Sequence, residues 1–332
     1  MPLKVLMTTP FPTALVDRVR AAVPGIELSQ AAPETADYRD AEVLYCFTPP
    51  PDLSAAPKLR WVQLHLAGVN ALYDHPLYAS DLPLTTASGV HATAVAEYAM
   101  TAILTLSRRI PRILQWQASG AWPPDERRWD LFVPAPVRGA TIGILGYGSI
   151  GREVARLAKA FGMRVAVTKR AIAERIDTGY YLPGTGDPTG TLPDAWYAPE
   201  RLHDLLGEAD YVVNCLPMTA ATAGIVGGAA LRAMKPTAYF VNVGRGGTVD
   251  EAALASALQQ RLIAGAALDV FEREPLPEAS PLWGLDNVLL SAHVSGFTPD
   301  YDERCTGLFV ENLQRYLAGR PLLNLVDRRL GY

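Results

Sequence analysis

The chain has 332 residues, 49% of them hydrophobic and 19% charged, with a formal net charge of −4. This length predicts about two domains and a core large enough to need no disulfide staples. High hydrophobicity with low charge excludes a disordered chain, and mild acidity without a basic stripe argues against a nucleic-acid partner. Cys46, Cys215 and Cys305 are widely separated and match neither a disulfide framework nor a zinc spacing. The opening residues 1–7 are too short and too interrupted for a signal peptide. No run reaches the roughly 18 apolar residues of a membrane span, since residues 95–106 are broken by Glu97, Thr101 and Thr105. The expectation is a cytoplasmic globular protein with no membrane partner.

Short apolar runs at 3–7, 43–47, 60–64 and 84–86 read as buried strands, with a helical stretch at 13–23 between the first two. Such alternation predicts a parallel sheet covered by helices. Val95, Ala99, Ala102, Ile103 and Leu106 then recur at helical spacing. Residues 120–136 carry Trp122, Pro123, Pro124, Trp129, Pro134 and Pro136, a poor setting for regular structure, and read as an irregular excursion into a new domain. That domain opens with a strand at 141–145 and a helix at 150–161, whose Ile150, Val154, Leu157 and Phe161 share a face. Further strands are predicted at 164–167, 211–216, 238–243, 264–268 and 287–291. A helix at 252–260 opens after Asp250, a good N-cap, and a last helix covers about 302–317. Residues 171–199, rich in Gly and Pro, are too long for an ordinary connection and read as an extended functional loop or an insertion.

Gly146, Tyr147, Gly148, Ser149, Ile150 and Gly151 form a G-x-G-x-x-G turn between a predicted strand and a predicted helix. The first glycine permits the tight turn, the second lets the backbone approach a pyrophosphate, and the third lets the helix pack on the strand. Free amides and the positive end of the helix dipole would then meet the phosphates. The competing reading is a turn that binds nothing.

An NAD site places an acid about 20 residues further on, against the ribose hydroxyls. Here the next strand ends in Thr168, Lys169 and Arg170, with no carboxylate. A lysine and an arginine attract a 2′-phosphate instead. NADP(H) is therefore expected over NAD(H), unless the pair is simply solvated.

Arg245, Glu274 and His293 each follow a predicted strand, where ligands bind in open α/β sheets. A guanidinium can hold a carboxylate, and a histidine with a carboxylate partner is a general acid/base. Spacing alone favours ordinary roles for each of them: an exposed arginine, a surface glutamate, a satisfied histidine.

The combination of motifs decides otherwise. TIGILGYGSIG (141–151), VGRGGTVD (243–250), ALDVFEREPLP (267–277), the Pro281–Trp283 stretch and AHVSG (292–296) match one family, with weaker matches at 66–70, 88–98 and 120–122. The sequence resembles the D-2-hydroxyacid dehydrogenases over nearly its whole length. The resemblance implies that Arg245 binds the substrate carboxylate, that His293 exchanges a proton with the keto oxygen, and that Glu274 orients His293 and favours its protonated form. It implies that Asp269 holds the nicotinamide carboxamide. It puts Leu216, Pro217, Thr222, Val243, Gly244 and Gly296 on the cofactor side. Leu66, Ala67, Gly68 and Val69 fall on the substrate side, backbone amides around Ala67, Gly68 and Val69 completing the carboxylate site. Departures from the family pattern are Asn70 where Asp is common, Ala292 where proline is frequent, Lys169 at the acid position, and the long 171–199 loop.

The implied fold is α/β, with two doubly wound parallel-sheet domains. A Rossmann cofactor domain, about 105–294, is inserted into a flavodoxin-like catalytic domain, about 1–104 plus 295–332. The family dimerises through its cofactor domain, which makes residues 112–136 the candidate homodimer interface, unless they pack on their own chain. The expected function is reduction of a small 2-keto acid, glyoxylate or hydroxypyruvate first, to the D-2-hydroxy acid. Competing readings are a dinucleotide-sensing interaction protein of the corepressor type and a formate- or phosphite-type dehydrogenase. Leu44, Tyr45, Phe47 and Leu66 read as strand core in preference to a pocket for a larger substrate.

Overall fold

A computed structural model describes residues 1–332. In chain order the elements are β1 (Leu3–Met7), α1 (Thr13–Ala22), β2 (Ile26–Gln30), β3 (Val43–Cys46), β4 (Trp61–Leu64), α2 (Pro76–Ala79), β5 (Leu84–Thr85), α3 (Ala92–Ser107), α4 (Ile110–Ala118) and α5 (Asp125–Phe132). Then come β6 (Thr141–Leu145), α6 (Ser149–Ala160), β7 (Arg164–Thr168), β8 (Ala195–Tyr197), α7 (Leu202–Glu208), β9 (Tyr211–Asn214), α8 (Gly228–Ala233), β10 (Tyr239–Asn242), α9 (Glu251–Gln259), β11 (Gly265–Leu268), β12 (Val288–Leu290) and α10 (Tyr301–Leu317).

The chain divides into two compact units. Unit 1 comprises Met1–His91, Thr178–Leu182 and Phe297–Tyr332, and unit 2 comprises Ala92–Asp177 and Pro183–Gly296. Unit 1 holds a five-stranded sheet in the order β2-β1-β3-β4-β5, and every strand pair in it is parallel. Strands β3 and β4 are buried along their whole length, as expected where both faces of a sheet are covered. The edge strand β2 buries only Leu28, so its sequence carries no apolar run and gives no strand signal. Tyr180, from the short stretch that unit 1 borrows, packs with the core of Val5, Trp61 and Phe309, and its amide donates to Asn324 Oδ1 at 3.0 Å.

Unit 2 holds a seven-stranded parallel sheet in the order β12-β11-β10-β9-β6-β7-β8. Helix α3 belongs here. Its Val95, Ala99, Ala102, Ile103 and Leu106 pack with Ile142, Ile144, Val154, Ala158 and Val241. The alanines on both helices let α3 lie close to α6. Ile103 is fully buried, and truncating it to Ala would cost about 2–5 kcal/mol. Asp250 caps α9 by accepting from the Ala253 amide at 2.9 Å.

Two expectations are corrected. The Trp- and Pro-rich stretch 120–136 is not irregular throughout, because α5 occupies much of it, with Asp125 and Glu126 in the first turn stabilised by the positive end of the helix dipole. The segment 171–199 is not structureless. It contains β8, and it is fastened by Asp187, which is 4% exposed and accepts from the Tyr147 hydroxyl and from the amides of Thr191 and Leu192.

Candidate active site

In unit 2 the chain order reverses across the sheet between β6 and β9, and ligands bind outside the carboxyl ends of strands at such a switch point. The glycine-rich turn leaves β6 there. Gly146 has φ +92°, a conformation that favours glycine, and its amide donates to Thr168 Oγ1 at 3.2 Å. A Cβ on Gly151 would collide with the Gly146 carbonyl oxygen, so this glycine is what lets α6 start so close to the strand. Nothing lies within 4 Å of a Cβ position on Gly148, which leaves room beside the amino end of α6, where Ser149 and Ile150 begin the helix. Open space, close approach and free helix-end amides together fit a dinucleotide pyrophosphate.

Tyr147 turns inward. Its hydroxyl donates to Asp187 Oδ2 at 2.7 Å, its ring packs edge-on against Trp196, and the Arg152 guanidinium lies 4.9 Å from the ring centre. Arg152 is 2% exposed and donates to the carbonyls of Asp187 and Arg175, so it ties the long segment to α6. Glu153, equally buried, accepts from the Gly186 amide at 2.6 Å. Neither residue was singled out from sequence, and the only available signal was a charged pair following the third glycine. Lys169 donates to the Glu174 carbonyl, and burial, then the neighbouring Arg152, draws its pKa below the usual lysine range. Arg170 is exposed at the same strand end.

Leu216 and Pro217 follow β9 across the switch point. The Leu216 amide donates to Asn214 Oδ1 at 3.2 Å, and Thr222 Oγ1 donates to the Pro217 carbonyl at 2.6 Å. Asn214 also donates to Asn242 Oδ1 at 3.0 Å and to Thr248 Oγ1 at 2.7 Å. Asn242 Oδ1 in turn accepts from the Gly244 amide at 3.2 Å. This buried amide network, also missed from sequence, shapes the turn after Val243 that presents Arg245. The Arg245 Nη1 donates to its neighbour's carbonyl, Gly244 O, at 2.8 Å.

Arg245, Asp269 with Glu274, and His293 follow β10, β11 and β12, three neighbouring parallel strands. At about 4.8 Å between strands, their backbones start within roughly 10 Å of one another. His293 Nδ1 donates to Glu274 Oε2 at 2.8 Å, and Glu274 Oε1 accepts from the Phe271 amide at 3.0 Å. His293 has φ +54°, a strained conformation for a non-glycine residue, worth about 1–3 kcal/mol. Its amide donates to the Asp269 carbonyl at 2.8 Å. The Asp269 side chain is fully buried and accepts from Ser291 Oγ at 2.6 Å and from the amides of Val294 and Ser295, each at 2.9 Å. Burial pushes this carboxyl up, but the hydrogen bonds from Ser291, Ser295 and Val294 outweigh it and hold the pKa below the ordinary value. Gly296 closes the loop as the last residue of unit 2.

In unit 1, Leu66, Ala67, Gly68 and Val69 leave the end of β4. The loop is anchored on both sides of the backbone. His65 O accepts from the Tyr301 hydroxyl at 2.8 Å, and Leu66 O accepts from the Ala87 amide at 2.9 Å. His65 itself is 2% exposed, with Tyr45 OH at 2.8 Å from Nδ1 and Asp302 Oδ1 at 3.4 Å from Nε2. Burial pushes its imidazole down to about 4. Val69 is buried, whereas Leu66 is exposed. Leu44 and Tyr45 are strand core, while Phe47 is 43% exposed beside the His65 ring.

The family model for D-isomer specific 2-hydroxyacid dehydrogenase, NAD binding domain, matches residues 100–295. A glyoxylate reductase of Aeropyrum pernix is 34% identical over 284 residues, 84% of this chain and 79% of that protein. A D-isomer specific 2-hydroxyacid dehydrogenase from Xanthobacter autotrophicus Py2, solved in complex with NADPH and MES, is 30% identical with TM-score 0.82, covering 100% of both chains. An NADPH-dependent glyoxylate/hydroxypyruvate reductase from Sinorhizobium meliloti, solved with NADP and sulfate, is 28% identical with TM-score 0.78, covering 99% of each chain. No helix of this chain is long and apolar enough to cross a membrane.

Proposed function

Because the chain belongs to the D-isomer specific 2-hydroxyacid dehydrogenase family, whose members are NAD(P)-dependent enzymes, we propose that it reduces small 2-keto acids to D-2-hydroxy acids, with NADPH preferred to NADH. The observation that carries this reading is the His293–Glu274 pair at 2.8 Å, set two strands from Arg245 in the sheet that also carries the glycine-rich turn. Glyoxylate and hydroxypyruvate are the first substrates to test, since similar proteins bear those names.

Unit 2 holds the cofactor and unit 1 the substrate loop. When bound, the reduced nicotinamide supplies the hydride that arrives at C2 of the keto acid. Arg245 grips the substrate carboxylate and draws electron density from the keto oxygen. The resemblance gives the amides of Ala67, Gly68 and Val69 in unit 1 a part in substrate binding. With Nδ1 committed to Glu274, His293 offers Nε2 to the keto oxygen and donates the proton. Glu274 stabilises the imidazolium before that transfer and fixes the ring plane. One hydride and one proton are consumed per turnover in reduction, and both are released in oxidation.

Support for NADPH is the absence of a carboxylate at the end of β7 and the presence of Lys169 and Arg170 there. Two of the similar structures also hold NADPH or NADP. The chain further forms a homodimer through unit 2, because Leu114, Trp122 and Trp129 of the α4–α5 region are 58%, 74% and 75% exposed, an arrangement that fits an interface. Loss of reduced-nicotinamide absorbance across a panel of 2-keto acids, with NADPH and then NADH, tests the reading. Turnover of glyoxylate or hydroxypyruvate is expected. Cofactor binding without turnover of any acid would overturn it in favour of a dinucleotide sensor.

A further inference from the structure

His293 sits in a loop whose residues Ala292 to Val294 are exposed, and its backbone is left-handed. Something must hold that loop against relaxation, and most of its ties lead to Asp269. The Asp269 carbonyl accepts from the His293 amide, Oδ1 accepts from the Val294 amide and the Ser291 hydroxyl, and Oδ2 accepts from the Ser295 amide. The Ser291 hydroxyl has one hydrogen, and the carboxylate takes it. The short 2.5 Å contact between Ser291 Oγ and Tyr98 OH therefore runs from tyrosine to serine. A directed chain results, Tyr98 to Ser291 to Asp269, reaching from α3 to the start of the loop.

We propose that Ser291 and Tyr98 are positioning residues for His293: their relayed hydrogen bonds keep the Asp269 side chain satisfied and fixed, and so hold the loop in the conformation that aims the imidazole. Neither hydroxyl is assigned to substrate or cofactor. The physical reason is the buried carboxylate. Removing the Ser291 hydroxyl takes one donor from Oδ1, which also accepts from the Val294 amide, in a site from which water is excluded. The loop then trades its left-handed residue for better-solvated geometries, and the imidazole loses its fixed aim. Tyr98 acts one bond further out. Without its donation, Ser291 Oγ loses the partner that orients the hydroxyl towards Asp269.

This proposal rests on His293 being the acid/base of the reaction. The experiment compares Ser291→Ala, Tyr98→Phe, Ser291→Thr and His293→Ala, each for kcat, for KM of the keto acid and for NADPH affinity by cofactor fluorescence. Ser291→Ala and Tyr98→Phe are expected to lower kcat about tenfold while cofactor affinity and keto-acid KM stay within about twofold. Ser291→Thr, which keeps the hydroxyl, is expected to restore most of kcat. Unchanged kcat in Ser291→Ala and Tyr98→Phe beside an inactive His293→Ala overturns the proposal alone. A parallel loss of kcat, cofactor affinity and thermal midpoint also overturns it, since the hydroxyls would then hold the fold and not the histidine. A fully active His293→Ala enzyme overturns the acid/base assignment itself, and the proposal with it.

Discussion

Nδ1 of His293 lies 2.8 Å from Oε2 of Glu274 although 19 residues separate them, and the second oxygen of that carboxylate is occupied by the Phe271 amide. Glu274 is thus oriented from behind before it orients the imidazole. Replacing His293 with Ala should lower turnover about 10²–10⁴-fold. Glu274→Gln keeps a hydrogen-bond acceptor but removes the charge that faces the imidazole, so turnover should fall about tenfold with the fold intact. Steady-state reduction rates across pH, with NADPH affinity as a control, check both.

Lys169 and Arg170 are expected to discriminate between cofactors. Changing both to Ala should raise the KM for NADPH at least tenfold and leave that for NADH within about twofold, because only the former carries the 2′-phosphate. Equal efficiency with NADH and NADPH in the unmodified protein would contradict the preference.

The buried imidazole of His65 makes a prediction about stability. Its pKa is about 4 in the folded protein, against about 6.5 in an unfolded chain. As pH falls below 6.5 the unfolded state takes up a proton that the folded state refuses, so stability is lost between about 6.5 and 4. Asp302, at 3.4 Å, is itself pushed up by burial and so only partly offsets this. Denaturant midpoints should fall more steeply over that window for the native sequence than for His65→Gln.

Trp122 and Trp129 give the interface reading its test. Light scattering should report a dimer, and converting both to Ser should shift the mass toward the monomer. A native monomer would remove the interface assignment.

Which parts of this molecule its sequence reveals follows from where the physics is local. β6, α6 and the turn between them were legible because strand burial, helical periodicity and three glycines fall within one short stretch. The edge strand β2 was not, since it buries only Leu28 and carries no apolar run, and β8, three residues within a Gly- and Pro-rich segment, is too short to stand out. Helix α5 was hidden by its flanking prolines, one of which, Pro124, sits at its N-cap.

Arg245, Glu274 and His293 were nameable from motif resemblance, yet spacing alone pointed to ordinary roles. Their adjacency is a property of sheet order, which puts β10, β11 and β12 side by side. The sequence by itself determined the chemistry on offer: a glycine turn, a basic pair at the end of β7, a histidine with an acid. Only the tertiary structure decided what holds those groups. The left-handed backbone of His293, the donors gathered on Asp269, the relay from Tyr98 and the Arg152 clamp on the long segment all join residues distant in the chain. Hydrogen bonds to a buried carboxylate or guanidinium are set by where the packed elements bring their donors and acceptors, and no local pattern of residues encodes that.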